Sequence, residues 1–158
     1  MNDRRTFLVI AGLTGAGFLL FGRSTTASAA FAVNHSPAQW RRMLGPQRYA
    51  ILREAATERA FTSPLNKEHR RGTFACAGCQ LPLFSSATKF DSGTGWPSFW
   101  RPLPRAVVTR SDRTLIMERT EVLCARCGGH LGHVFEDGPK PTGLRYCMNG
   151  LALSFRAA

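Results

Sequence analysis

Cys76-Ala77-Gly78-Cys79 and Cys124-Ala125-Arg126-Cys127 are the two stretches that decide how this chain folds. In each, two intervening residues let the backbone turn until both sulfurs face one point. A pair of such turns supplies four thiolates, which is the number that closes a tetrahedral zinc site. A closed tetrathiolate leaves no open position for substrate, so the metal is expected to hold structure. Gly78 within the first pair and Gly128-Gly129 after the second suit tight metal knuckles. Two disulfides compete with zinc, because the leader described below points to an oxidising compartment. Iron is a third alternative for a sulfur-only tetrahedron. Zinc is the expectation.

Outward from the knuckles the chain reads as β. From Thr73 onward, short runs rich in β-formers are separated by Gly and Pro. They are Thr73–Cys76, Leu81–Ser85, Ala106–Arg110, Thr114–Glu118, Glu121–Cys124, Leu131–Phe135, Arg145–Asn149 and Leu151–Phe155. Runs this short and this regularly spaced predict antiparallel sheets and argue against a parallel α/β core. The knuckles fall at strand ends and would pin distant parts of the β region together. Before them, Ser36-Pro37-Ala38-Gln39 is a capping box with proline at the first helical position. Trp40, Met43 and Leu44 follow at helical spacing. Gly45-Pro46 ends that helix and starts a second one striped by Tyr49, Leu52 and Ala56, and Ser63-Pro64 opens a further short turn.

The N-terminus reads as an address. Arg4-Arg5-Thr6-Phe7-Leu8 is a twin-arginine export pattern. The apolar stretch Phe7–Phe21 is diluted by Gly12, Thr14, Gly15 and Gly17 and is shorter than the roughly 20 residues a spanning helix needs. Ala27-Ser28-Ala29 supplies small residues for cleavage. The expected organisation is therefore a signal peptide at 1–29, a linker at 30–35 and one domain at 36–158. The protein would reside in the periplasm with no stable membrane insertion after cleavage. Export of an already folded chain suits a zinc site loaded in a reducing cytoplasm.

Without residues 1–29, which hold three Arg and one Asp, the net charge falls from +11 to +9. Nucleic acid is one reading of so basic a chain, but export argues against that partner.

The solitary thiol, Cys147, is the candidate for chemistry. If Arg145-Tyr146-Cys147-Met148-Asn149 is a strand, Arg145, Cys147 and Asn149 share one face, so a cation and an amide flank the sulfur. A neighbouring cation raises the thiolate fraction. A buried, inert thiol is the alternative, and an unpaired cysteine in an exported protein tips the reading toward reactivity. In Gly129-His130-Leu131-Gly132-His133-Val134-Phe135, His133 and Phe135 share a strand face and His130 falls in the preceding turn. This HxxH lacks the helix and the glutamate of a metalloprotease motif, and either histidine reads first as a satisfied core residue. The loop Asp91–Trp100 gathers aromatic residues that either cap the core or form a pocket for a thioether, because sulfur packs well on aromatic rings.

SGTGWPSF (92–99), CARCGGHLGHVF (124–135) and GPKPTGLRYCMNG (138–150), together with the paired CxxC, make the chain resemble the methionine sulfoxide reductase B family. The resemblance runs from about Trp40 to Phe155. It implies a mainly β fold, two antiparallel sheets in a β-tent tethered by a four-cysteine zinc site, with short N-terminal helices. Matched by motif, Cys147 resembles the family nucleophile and Trp96 the wall of the methyl pocket. His133 and Asn149 match residues around the sulfoxide oxygen, while His130, Phe135 and Arg145 match supporting members. Cys76, Cys79, Cys124 and Cys127 match the zinc ligands. The implied substrate is the R epimer of protein-bound methionine sulfoxide, and the implied partner is a thioredoxin-like thiol reductant. A monomer is expected. Many relatives carry a resolving cysteine in the SGxGWPSF loop, where this chain has Thr94, so an external thiol is expected to reduce Cys147. Ala60, where many relatives have proline, bears on loop geometry alone.

Overall fold

The computed structural model describes residues 31–113 and 118–158. The twin-arginine leader and most of the expected strand Thr114–Glu118 lie outside the described residues.

Among the described residues, nine strands form two antiparallel sheets. The smaller has the order β2-β1-β9, from β1 (Gly72–Cys76), β2 (Pro82–Ser85) and β9 (Leu153–Ala157). The larger has the order β3-β4-β8-β7-β6-β5. Its members are β3 (Lys89–Phe90), β4 (Ser98–Phe99), β5 (Val107–Asp112), β6 (Arg119–Cys124), β7 (His130–Phe135) and β8 (Arg145–Met148). The two-residue strands β3 and β4 are absent from the sequence reading, because runs that short have no period to detect. The run expected at Leu151–Phe155 begins as a 3-10 turn, Gly150–Ala152, and becomes strand only at Leu153.

One face of each sheet is apolar, and the two faces meet. Phe84 of β2 stacks on Phe99 of β4 at 4.3 Å between ring centroids, and Phe74 of β1 meets Phe99 edge-on at 4.9 Å. Leu83, Val122, Leu131, Met148 and Leu153 complete a fully buried core. Each such side chain stabilises the fold by about 1.5–3 kcal/mol through apolar burial.

The helix α1 (Pro37–Glu54) carries the predicted capping box: the Ser36 hydroxyl accepts from the Gln39 amide, and the Gln39 side chain accepts from the Ser36 amide. Gly45, at φ 68° and ψ 171°, interrupts it, so α1 is two helices joined at the predicted break. Trp40, Tyr49, Ile51 and Leu52 are its buried stripe. Ser63 caps the short 3-10 turn Pro64–Lys67. No helix among the described residues is long and apolar enough to cross a membrane.

Candidate active site

The five cysteine sulfurs occupy two different places. Cys76 ends β1 and Cys124 ends β6, so the two knuckles join the small sheet to the large one. The Sγ atoms of Cys76, Cys79, Cys124 and Cys127 all lie within 4.8 Å of one another. Cys76 stands 3.7 Å from Cys127, and Cys79 stands 3.5 Å from Cys124. A zinc tetrahedron with Zn–S near 2.3 Å has sulfurs about 3.8 Å apart, so the donor set fits such an ion. None of these cysteines is in a disulfide. Trp40 and Leu52 of α1 lie over the knuckle at Gly78, and Leu52 also packs on Gly129. The cluster is therefore roofed by apolar side chains.

Cys147 lies on the same large sheet but opens to a cavity of about 180 Å³. Thr57, Trp96, Arg119, Gly132, His133, Phe135 and Asn149 line it with Cys147. The register explains the assembly: β8 places Cys147 opposite His133 of β7 on one side and Ser98 of β4 on the other. Gly132 permits this approach, because a Cβ there would stand 2.1 Å from the Cys147 carbonyl oxygen.

Trp96 is held by an indole N–H donated to the Glu58 carbonyl at 3.1 Å. Asn149, buried just past β8, accepts from the Glu58 amide at 3.0 Å and donates to the Leu131 carbonyl at 3.2 Å. Those bonds leave its side-chain amide one further N–H to offer. The Glu58 carboxylate in turn accepts the Gly150 and Leu151 amides at 2.6 and 2.9 Å. His133 Nε2 meets Asp112 Oδ2 at 2.8 Å, and the same oxygen accepts from Arg119 Nη2 at 2.7 Å. The other ring nitrogen of His133, Nδ1, is thereby available for chemistry.

Behind it, His130 Nδ1 meets Glu121 Oε1 at 2.6 Å, and Arg110 Nε donates to the second Glu121 oxygen. Burial pushes the His130 pKa down despite Glu121, so the ring is neutral near pH 7. The sequence placed His130 in a turn. It is instead the first residue of β7, because the paired register with Leu123 extends the strand back to it.

Arg145 forms a two-pronged pair with Asp137 at 2.8 and 2.7 Å and lies 4.4 Å over the Phe135 ring. It thus fixes the orientation of Phe135. Neither His130 nor Arg145 lines the Cys147 cavity.

Thr94 Oγ1 stands 3.8 Å from Cys147 Sγ. From it a hydroxyl chain runs through Ser92 at 2.8 Å to Ser98 at 2.7 Å, and Ser98 donates to the Trp96 carbonyl at 3.1 Å. Sequence reasoning missed Glu58, Asp112, Arg119 and Glu121. Each acts across strands or from a loop far away in sequence, so no local spacing marks it.

Fold and site together define a class: a thiol-bearing protein in which one half-buried cysteine faces an aromatic, histidine-lined cavity while four others tie two sheets. The SelR domain family model matches residues 44–157. A peptide methionine sulfoxide reductase MsrB of Leptospira interrogans is 54% identical over 127 residues, covering 80% of this chain and 97% of that protein. One from Thiobacillus denitrificans is 60% identical over 119 residues, covering 75% of this chain and 90% of the relative. Chloroplastic B1 of Arabidopsis thaliana is 50% identical over 77% of this chain and 61% of its own length. The chain belongs to the methionine sulfoxide reductase B family.

Proposed function

We propose that this protein reduces the R epimer of protein-bound methionine sulfoxide to methionine, through a sulfenic acid on Cys147. The observation that carries the reading is the cavity itself. It sets one accessible thiol among Trp96, Phe135, His133 and Asn149, while the remaining four sulfurs are gathered elsewhere.

The Cys147 thiolate attacks the sulfoxide sulfur as His133 delivers a proton to the oxygen. The S–O bond of the substrate breaks, the oxygen and that proton go to Cys147 as S–OH, and methionine leaves. Asp112 orients the His133 ring by accepting its Nε2–H, and Arg119 fixes Asp112. The spare N–H of Asn149 is a donor for the sulfoxide oxygen. The methyl group rests against Trp96 and Phe135. A chiral sulfur held by methyl, oxygen and nucleophile at three fixed points admits one epimer.

An external thiol then attacks the S–OH and releases water, and a second thiol frees Cys147. Thr94 supports this route, because the loop residue facing Cys147 at 3.8 Å offers a hydroxyl and no second sulfur. Cys76, Cys79, Cys124 and Cys127 would hold one structural zinc ion. The reductant is of the thioredoxin-like dithiol class. The twin-arginine pattern supports export to the periplasm, a signal peptide at 1–29 and protein repair after oxidation as the role.

Mass spectrometry after one equivalent of an R-sulfoxide peptide, without reductant, tests the reading. Cys147 sulfenic acid is expected, and an intramolecular disulfide in good yield rejects it. Equal turnover of R and S sulfoxide peptides rejects the epimer assignment.

A further inference from the structure

Phe61 stands out on the surface. Its ring is 73% exposed, yet its backbone sits in the left-handed region at φ 66°. A bulky residue in that conformation is strained, and such strain persists where the surroundings impose it. Here they do: the Phe61 amide donates to the Gly95 carbonyl at 2.8 Å, one residue before Trp96.

Gly95 makes the approach possible. A Cβ on it would lie 2.9 Å from Phe61 Cδ2 and 2.8 Å from the Phe61 nitrogen. Three residues earlier, the Glu58 carbonyl takes the Trp96 indole and the Glu58 carboxylate grips the turn after β8. The segment 58–61 is thus tied to the catalytic loop at both ends, and the aromatic ring is presented at a fixed offset from Trp96.

Phe61 and Trp96 also line a second cavity of about 260 Å³. Trp96 is common to this groove and to the Cys147 cavity, so the two adjoin across its side chain. The other ionisable groups of the groove are Lys67, His69 and Lys89 against a single acid, Asp91. Burial lowers the Lys89 pKa, while its ammonium donates to the Asn66 carbonyl at 2.9 Å. A groove with this balance suits an extended chain carrying an apolar residue and a carboxylate.

We propose that the Phe61 groove seats the polypeptide flanking the oxidised methionine, with an apolar side chain on the Phe61 ring and an acidic one toward Lys67 and Lys89. The inference rests on the sulfoxide reductase reading and specifies its substrate class: oxidised methionines beside apolar and acidic residues.

The test compares two pure R-sulfoxide substrates with dithiothreitol as reductant. One is N-acetylmethionine sulfoxide amide, which has no flanks. The other is a heptapeptide with leucine and glutamate around the sulfoxide. In Phe61→Ala the ratio of kcat/KM between peptide and amide is expected to fall about fivefold to tenfold, carried by the KM of the peptide. Phe61→Gly, which suits a positive φ, is expected to show the same loss with an undiminished melting temperature. For the wild type, lysine in place of the glutamates is expected to raise KM about fivefold. An unchanged peptide-to-amide ratio in both variants overturns the proposal, as does equal turnover of the acidic and basic peptides. Failure of the underlying reading looks different: Cys147→Ser would then keep its turnover of both substrates.

Discussion

The four-sulfur cluster, which bridges the two sheets, and the Cys147 cavity on the large sheet are both built on cysteine sulfur, and they differ in what surrounds it. At the cluster, sulfurs meet sulfurs under Trp40 and Leu52, with every member of the quartet committed to the other three. At the cavity, one sulfur faces a histidine, an amide, two aromatic rings and a hydroxyl. Thiol chemistry turns on such a contrast: a quartet suits an ion and a scaffold, while a lone thiol with donors around it suits a nucleophile. The strongest way to break the comparison is to move function from one region to the other.

Cys147→Ser is expected to lower turnover roughly 10³-fold or more, as nucleophile removal does elsewhere. It should leave the metal content and the unfolding midpoint close to wild type. Cys124→Ser should act in the opposite way. Losing one ligand of a structural ion is expected to remove several kcal/mol of stability, because binding free energy at such a site is folding free energy. Elemental analysis and urea unfolding of both variants check the pair. A metal-free Cys147→Ser protein, or a fully stable and metal-loaded Cys124→Ser protein, would dissolve the division.

A finer test keeps all five sulfurs. Gly132 lies under the Cys147 carbonyl, and Gly132→Ala would drive a methyl into that oxygen. The β7–β8 pair must separate locally, which displaces Cys147 relative to His133. A displacement near 1 Å costs about 10²-fold in rate, so activity should fall by that order while the metal stays bound. Steady-state kinetics with parallel metal analysis decides it.

The contrast also explains what was legible in the sequence. The cluster could be read from spacing alone, because a CxxC turn is local and its geometry is set by two intervening residues. The β class, the capping box at Ser36 and the break at Gly45 were legible for the same reason: each signal lies within a few residues. The cavity was legible only where strand alternation reached, as for His133 with Phe135 and for Cys147. Its supports were not. Glu58 is 91 residues from Asn149 and joins it through a backbone amide that any residue carries. Asp112 reaches His133 through the pairing of three strands, β5 to β6 to β7, and pairing register is a property of the fold. Arg145 was placed beside Cys147 by alternation, and its guanidinium does interact with that sulfur, although Asp137 is its larger partner and the Phe135 ring lies beneath it.

The smallest expected effect probes the space between the two regions, where His130 is 4% exposed and linked to Glu121. Burial lowers the His130 pKa from its ordinary 6.5. In the unfolded chain the ring takes up a proton as pH falls through 6.5, whereas in the folded protein it resists. The unfolded state therefore binds more protons in that window, and stability is present above pH 6.5 and declines below it. Glu121 works in the same direction at lower pH. Its own burial opposes ionisation, but Arg110 and His130 outweigh it and hold the pKa below the ordinary 4.5, so its contribution is lost as pH falls beneath that value. His130→Asn keeps an N–H for Glu121 and cannot titrate. Urea unfolding of the metal-bound protein between pH 7 and 5.5 should show a falling midpoint in wild type and a flatter profile in the variant. Identical slopes would mean that the neutral ring does not govern this window, leaving protonation of the thiolate ligands as the source of any acid loss.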